Sequence, residues 1–241
     1  MNILSVDWDF FYPDSYDYDW GANEENQFMF EAIWHTRCNA RNLFTKEHVL
    51  DAFYPTIPEG FWERILKVPP RLLIACESHS MLLQILKTQK IKPFNDLNII
   101  NMDAHHDMGY WEDQGPCCGS WAWHAKQIEY VKSVHQVYPK WREKSPENYL
   151  NDEQQPDTTS FELPEPDNYA LVFVCRSGCW TPPWHDREFN DLINSAPTEP
   201  TFFDNDIVRM ARSPASVEEA RVLADEYDAI MKEVMKQHKA G

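Results

Sequence analysis

Four short apolar runs stop abruptly at charged residues: NILSV at 2–6 before Asp7, RLLIAC at 71–76 before Glu77, LNIINM at 97–102 before Asp103, and YALVFVC at 169–175 before Arg176. Runs of this length, apolar without alternation, are the pattern of strands buried on both faces of a parallel sheet. Between them lie stretches with apolar residues at helical spacing, such as 80–90, where Met81, Leu82, Ile85 and Leu86 share a face, and 121–137. Strands alternating with helices predict an α/β fold, a three-layer α/β/α arrangement around a mainly parallel sheet. With 241 residues, 43% of them hydrophobic, the chain is read as a single domain over 1–241 with a sizeable core. The stretch 139–168 is rich in proline, acid and amide with little periodicity, and is expected to be a long surface loop or lid. A last helix is expected over 213–239, where Ser216 and Glu219 suit a capping box and Val217, Ala220, Leu223, Ala224, Tyr227, Met231 and Val234 form an apolar stripe.

In open α/β sheets ligands bind beyond the carboxyl ends of the strands, which is where the ionisable residues of this chain collect. The first strand runs into VDWDFFYPD, placing Asp7 and Asp9 on one face by the two-residue strand period. ESHS follows the second and supplies His79, while NMDAHHDMG follows the third and supplies Asp103, His105 and Asp107, with His106 facing away. Four carboxylates and two imidazoles on one rim repel one another unless cations neutralise them, and two divalent ions would do so. An oxygen-rich set with two imidazoles suits Mn²⁺ better than a structural zinc, which prefers thiolates in a closed tetrahedron. The expected metal ligands are therefore Asp7, Asp9, His79, Asp103, His105 and Asp107, holding two Mn²⁺ ions. A lone D-x-D at a strand end would cap a following turn just as well; the combination of the three motifs carries the reading.

Other features read more plainly. Cys117 with Cys118, and Cys175 with Cys179, lack the spacing of a zinc finger and are expected to be reduced core or pocket thiols. His35, His48, His135, His185 and His238 stand alone on helical or loop stretches, whereas His124 follows CCGSWAW just beyond the acid-rich rim and is the candidate for a catalytic role. Against 39 acidic residues there are 22 basic ones, a formal net charge of -17, which disfavours nucleic acid and anionic membrane and favours cations. Seven glycines leave no phosphate-cradling loop. Six cysteines without an apolar leader or a bilayer-length run lead to the expectation of a soluble, cytoplasmic protein.

These motifs resemble those of the ureohydrolases, the arginase and agmatinase superfamily. NMDAHHD is similar to its D-A-H-x-D signature, ESHS to its G-G-D-H-S, and VDWDFFYPD to its D-x-D-x-x-D-P. The match covers three short motifs. Two departures stand out: Ala75 and Cys76 replace the two glycines, and the D-x-D motif opens the chain instead of following the other two, so the resemblance implies an arginase/deacetylase-like fold with permuted strand order. A short-chain branch of the superfamily with this order includes the peptide arginases (peptide ornithine synthases), which convert arginine residues of precursor peptides to ornithine. The resemblance implies that Asp7 and Asp103 bridge two Mn²⁺ ions, that His79 and Asp107 complete one and His105 and Asp9 the other, and that a hydroxide between them attacks the guanidinium carbon to release urea and an amine. His124 is then the candidate for protonating the leaving amine. An acid should hold the guanidinium, with Glu77, Asp14, Glu112 and Asp186 near the rim and none assigned. Trp111, Trp121, Trp123, Trp180 and Trp184 suit either a groove for an arginine-containing precursor peptide or the core.

Two alternatives remain open at this stage. A haloacid-dehalogenase-like phosphatase also opens with an apolar strand and D-x-D, but would leave His79 and His105 without a task. A non-catalytic acidic module that binds metal or cationic peptide would not require six ligand-type residues at strand ends.

Overall fold

The computed structural model describes residues 1–12, 34, 54–88, 96–112, 114–203 and scattered positions from 218 to 236. Seven strands form one parallel sheet: β1 (Asn2–Asp7), β2 (Leu72–Cys76), β3 (Leu97–Met102), β4 (Val131–Val137), β5 (Thr158–Ser160), β6 (Tyr169–Cys175) and β7 (Pro200–Phe202), in the spatial order β5-β4-β3-β1-β6-β2-β7. The chain thus starts in the middle of its sheet, with β1 parallel to β3 on one side and to β6 on the other. The helices are α1 (Phe61–Ile65), α2 (Ser80–Thr88), α3 (Trp121–Lys126) and α4 (Asp186–Asn194).

Two cores lie on the two sides of the sheet, which makes the fold a three-layer α/β/α sandwich. On one side Leu4, Val6, Leu73, Ala75, Val172 and Val174 pack with Phe61, Trp62 and Ile65 of α1 and Phe189, Leu192 and Ile193 of α4. On the other, Ile3, Ile74, Ile99, Leu171 and Phe173 pack with Leu82, Leu83 and Leu86 of α2 and Trp121, Ala122 and Ala125 of α3. Side chains alternate across each strand, so both faces of β1 and β6 are buried, and this explains their unbroken apolar runs. On the α2 and α3 side the apolar character fades along the strands: Ile3 gives way to Ser5 and Asp7, and Ile99 to Asn101 and Asp103, all buried. That gradient sets a polar floor at the carboxyl ends of β1 and β3.

Three strands differ from expectation. The helical stretch predicted over 121–137 ends at Lys126, and Val131–Val137 is β4, parallel to β3. Val131 and Val134 are spaced like one face of a helix, but three β-branched valines in seven residues suit the pleated edge beside β3, whose backbone groups they pair. Strands β5 and β7 span three residues each, too short for a periodicity to show. The expected loop at 139–168 contains β5 and a 3₁₀ turn at Lys140–Lys144 that buries Arg142 completely. The described positions of the last expected helix, among them Glu218, Arg221 and Val222, are helical, while its capping box and apolar stripe lie outside the described residues. No helix among the described residues is long and apolar enough to cross a membrane.

Candidate metal centre

All six expected ligands gather at the carboxyl ends of β1, β2 and β3: strand alternation places Asp7 and Asp103, and turns beyond the strands bring Asp9, His79, His105 and Asp107 to them. Strand β1 ends at Asp7, whose Oδ1 accepts the Asp9 N–H at 2.8 Å and so caps a 3₁₀ turn at Trp8–Phe11. The turn sends Asp9 toward β3, where its Oδ1 accepts the Ala104 N–H at 3.1 Å and its Oδ2 lies 2.7 Å from His105 Nδ1. Strand β3 likewise stops at Met102. Asp103 Oδ1 accepts the His105 N–H at 2.7 Å, and Asp107 takes a left-handed backbone, φ 51°. The carbonyl of Asp107 accepts N–H groups of Ala122 and Trp123 at the start of α3, and its Oδ2 accepts Trp121 Nε1–H at 2.7 Å. His106 turns away, stacks on Tyr110 and meets Tyr149 at a tilt.

His79 reaches the group from farther off, because β6 separates β2 from β1. Its ring crosses the sheet end stacked on Trp121 and Phe173, with centroids 4.9 and 5.8 Å away. Its Nε2 lies 2.8 Å from Ser5 Oγ, which leaves Nδ1 facing three carboxylates: Asp7 at 3.1 Å, Asp107 at 3.5 Å and Asp103 at 3.7 Å. With Nε2 donating to Ser5, Nδ1 carries the lone pair that a metal requires.

Burial and the crowding of four carboxylates dominate the electrostatics of this group. Burial pushes His79 down to about 3, so it stays neutral among the acids. Burial, then the charges of Asp107, Asp9 and Asp7, hold Asp103 well above the usual carboxylate range, and burial lifts Asp107 to about 7. Asp9 goes the other way: burial would raise it, but the adjacent His105 ring and the Ala104 N–H keep it below its ordinary value. The ligand atoms fall into sets within 4.8 Å of one another, Asp9 with Asp103 and His105, and His79 with Asp103 and Asp107, so Asp103 belongs to both. A third set joins Asp7, His79 and the buried Cys175 thiol, which donates to the Glu77 carbonyl at 3.4 Å.

A cavity of about 650 Å³ opens over this floor. Asp7, His79, Asp103, His105 and Asp107 face it, Asp9 lies behind them, and Tyr110, Trp111, Gln114, Cys117 and Trp180 contribute to its walls. His124 does not line it: half-buried on α3, its Nε2 lies 3.1 Å from the Gln114 carbonyl, where it supports the wall from behind. Of the acids considered for a guanidinium, Glu77 is buried outside the lining, Glu112 is exposed outside it, Asp186 is paired with Arg176 at 2.5 Å, and Asp14 lies outside the described residues. Of the five tryptophans, Trp111 and Trp180 line the cavity, Trp121 backs His79, Trp123 packs against the α2 and α3 core, and Trp184 belongs to the opposite core.

Several supporting residues escaped the sequence reading. Gln136 of β4 donates to the carbonyls of Asp103 (3.1 Å) and His105 (3.0 Å) and accepts from Asn101 at 3.0 Å. Asn101 in the mainly apolar run LNIINM was an available signal, whereas Gln136 stands among Lys132, Ser133 and His135 of β4 and gave none. Ser5 in β1 is the same kind of signal as Asn101.

The fold and this floor together define an α/β protein with an acid- and histidine-rich cleft at the carboxyl end of its parallel sheet. No protein-family model, curated protein or solved structure matches the chain.

Proposed function

We propose that this chain is a binuclear manganese hydrolase that cleaves a guanidinium group to urea and an amine, converting arginine residues of a precursor peptide to ornithine. One observation carries the metal reading: Asp103 is common to two buried histidine-and-acid sets whose ligand atoms lie within 4.8 Å of one another. The donor set fits two divalent cations, His79 with Asp7, Asp103 and Asp107 on one side, and His105 with Asp9 and Asp103 on the other. Oxygen donors with two imidazoles favour Mn²⁺, and two such cations would supply the Lewis acidity that makes water nucleophilic near neutral pH.

The remaining work falls to the chain. Ser5, Trp121 and Phe173 hold the His79 ring at a fixed angle, and Gln136 holds the turn that carries Asp103 and His105. Trp180, tilted against His105 with centroids 4.6 Å apart, and Trp111 offer aromatic faces to a flat cation. Water adds to the guanidinium carbon, the bond to the side-chain nitrogen breaks, and both water protons pass to that nitrogen, which leaves as an ammonium while the carbon leaves as urea. The substrate choice draws on the motif resemblance and on the cavity mouth, where Trp111 is 59% exposed and suits a peptide more than an enclosed amino acid. The described cysteines are all thiols, which suits the cytoplasm.

The test is to incubate the Mn²⁺-loaded protein with free arginine and with arginine-containing peptides and to measure urea. Urea from the peptides alone supports the peptide reading, and urea from free arginine alone replaces it. Urea from neither, with hydrolysis of p-nitrophenyl phosphate, would replace the reading with a phosphatase.

A further inference from the structure

The two peptide groups that flank His105 are each held by one half of an ion pair between buried Arg142 and half-buried Glu147, which lines the cavity. Arg142, 0% exposed, donates from Nε to the Ala104 carbonyl at 2.8 Å, and Glu147 Oε2 accepts the His106 N–H at 2.8 Å. The two side chains meet at 2.8 Å between Arg142 Nη2 and Glu147 Oε1, and Arg142 Nη1 donates to the Ser145 carbonyl at 3.2 Å. Burying a guanidinium costs several kcal/mol of hydration, and an apolar pair of equal volume often packs as stably. What the ion pair adds here is direction: each partner places one hydrogen bond on the backbone beside His105.

That turn carries His105, whose Nδ1 faces Asp9 and Asp103, at 2.7 and 3.8 Å. The other set is held by different means, His79 by Ser5 and by its ring contacts with Trp121 and Phe173. The two histidines are therefore held by different supports, while Asp103 and Asp107 share the turn with His105. We infer that Arg142 and Glu147 are positioning residues for His105, and that their ion pair sets the affinity of the cation held by Asp9, Asp103 and His105 without setting that of its neighbour. The inference rests on the binuclear reading above. It gives two residues of the 139–168 stretch a task, that of bracing the ligand turn.

Mn²⁺ titrations of the metal-free parent, Glu147→Gln and Arg142→Lys test it, followed by calorimetry and electron paramagnetic resonance. Glu147→Gln keeps the volume but loses the charge that aligns Arg142, and Arg142→Lys loses the fork that reaches both Ala104 and Glu147. In each variant one ion should bind within about threefold of the parent and the other about 10- to 100-fold more weakly. At one equivalent of Mn²⁺ or more, the spectrum should then show a mononuclear ion where the parent shows a coupled pair. Lys140→Ala, which removes an exposed pair with Glu162, should behave like the parent. Equal weakening of both ions, or parental affinity for both in a folded Glu147→Gln, would overturn the assignment. Should Arg142→Lys fail to fold, Glu147→Gln decides alone. A parent that binds no Mn²⁺ would sink the metal reading and this inference together, whereas a parent with two ions and unchanged variants would sink the inference only.

Discussion

His105 and Asp9, 96 positions apart in the chain, meet at 2.7 Å between Nδ1 and Oδ2 at the ends of adjacent parallel strands. The contact joins the first motif of the sequence to the third, and with Asp103 it makes one half of the proposed centre. The other half depends on His79, which arrives across β6.

If Asp103 is shared by two cations, elemental analysis of active protein should find about two Mn²⁺ per chain, and Asp103→Ala should lose both. Retention of full metal content by that variant would remove Asp103 from the centre.

Ligand and wall histidines should separate cleanly. His79→Asn should empty or weaken one metal position, with partial recovery in excess Mn²⁺. Ser5→Ala, which frees the far nitrogen of His79, should lower affinity by about 10- to 100-fold. His124 sits outside the cavity, so His124→Asn should keep both ions and turn over within about threefold of the parent. A loss of about a hundredfold or more would restore it as a proton donor.

The buried acids also dictate a pH dependence. Asp107 titrates near 7 in the fold but near 4 in an unfolded chain, so it favours folding while protonated; that contribution is full below about pH 4 and is lost as pH rises through 7. His79, depressed to about 3, does the reverse: its contribution is present above about pH 6.5 and is lost as pH falls through 3. At pH 7.5 the metal-free fold therefore carries the strain of the acids. Asp107→Asn, which tolerates the left-handed backbone, should raise the metal-free melting temperature there by about 2–8 °C, equivalent to about 1–2 kcal/mol, while weakening Mn²⁺ binding. Calorimetric melts with and without Mn²⁺ at pH 5 and 7.5 check both signs, and a lower metal-free melting point for the variant would contradict the electrostatics.

Cys117 gives a chemical probe of the cavity. Hydrogen bonds from Cys118 above all, and from Ser120 and Gln114, lower its thiol to about 5 against the opposing effect of burial. Iodoacetamide should then alkylate Cys117 ahead of the buried Cys76, Cys175 and Cys179, at a rate nearly flat from pH 6.5 to 8.5. An ordinary thiol would react about tenfold faster for each pH unit below its pKa. Peptide mapping after timed labelling reads the result, and a tenfold rise per unit at Cys117 would show a normal thiol.

What the sequence determined by itself was local. Mainly apolar runs without alternation mark the strands buried on both faces, because burial on both sides admits a polar residue only where it finds a partner, as Ser5 and Asn101 do. The acids and histidines after those runs mark the carboxyl edge of the sheet, and spacing alone nominates Asp7, Asp9, His79, Asp103, His105 and Asp107. The tertiary structure decided how they meet. Only the sheet order shows that β6 lies between β1 and β2, so that His79 must cross Phe173 to reach Asp7. Valines at 131 and 134 suit a helix face or a strand, and the unpaired edge of β3 selected the strand. His124 follows the motif closely in sequence yet faces the Gln114 carbonyl, since a helix turns each residue by about 100° and proximity along the chain does not set direction. Arg142 and Glu147 look like their charged neighbours in 139–168 until folding buries Arg142 and sets Glu147 against it at the cavity wall. Burial is a property of the whole packed chain, and a charge acquires its partner only when water is excluded around it.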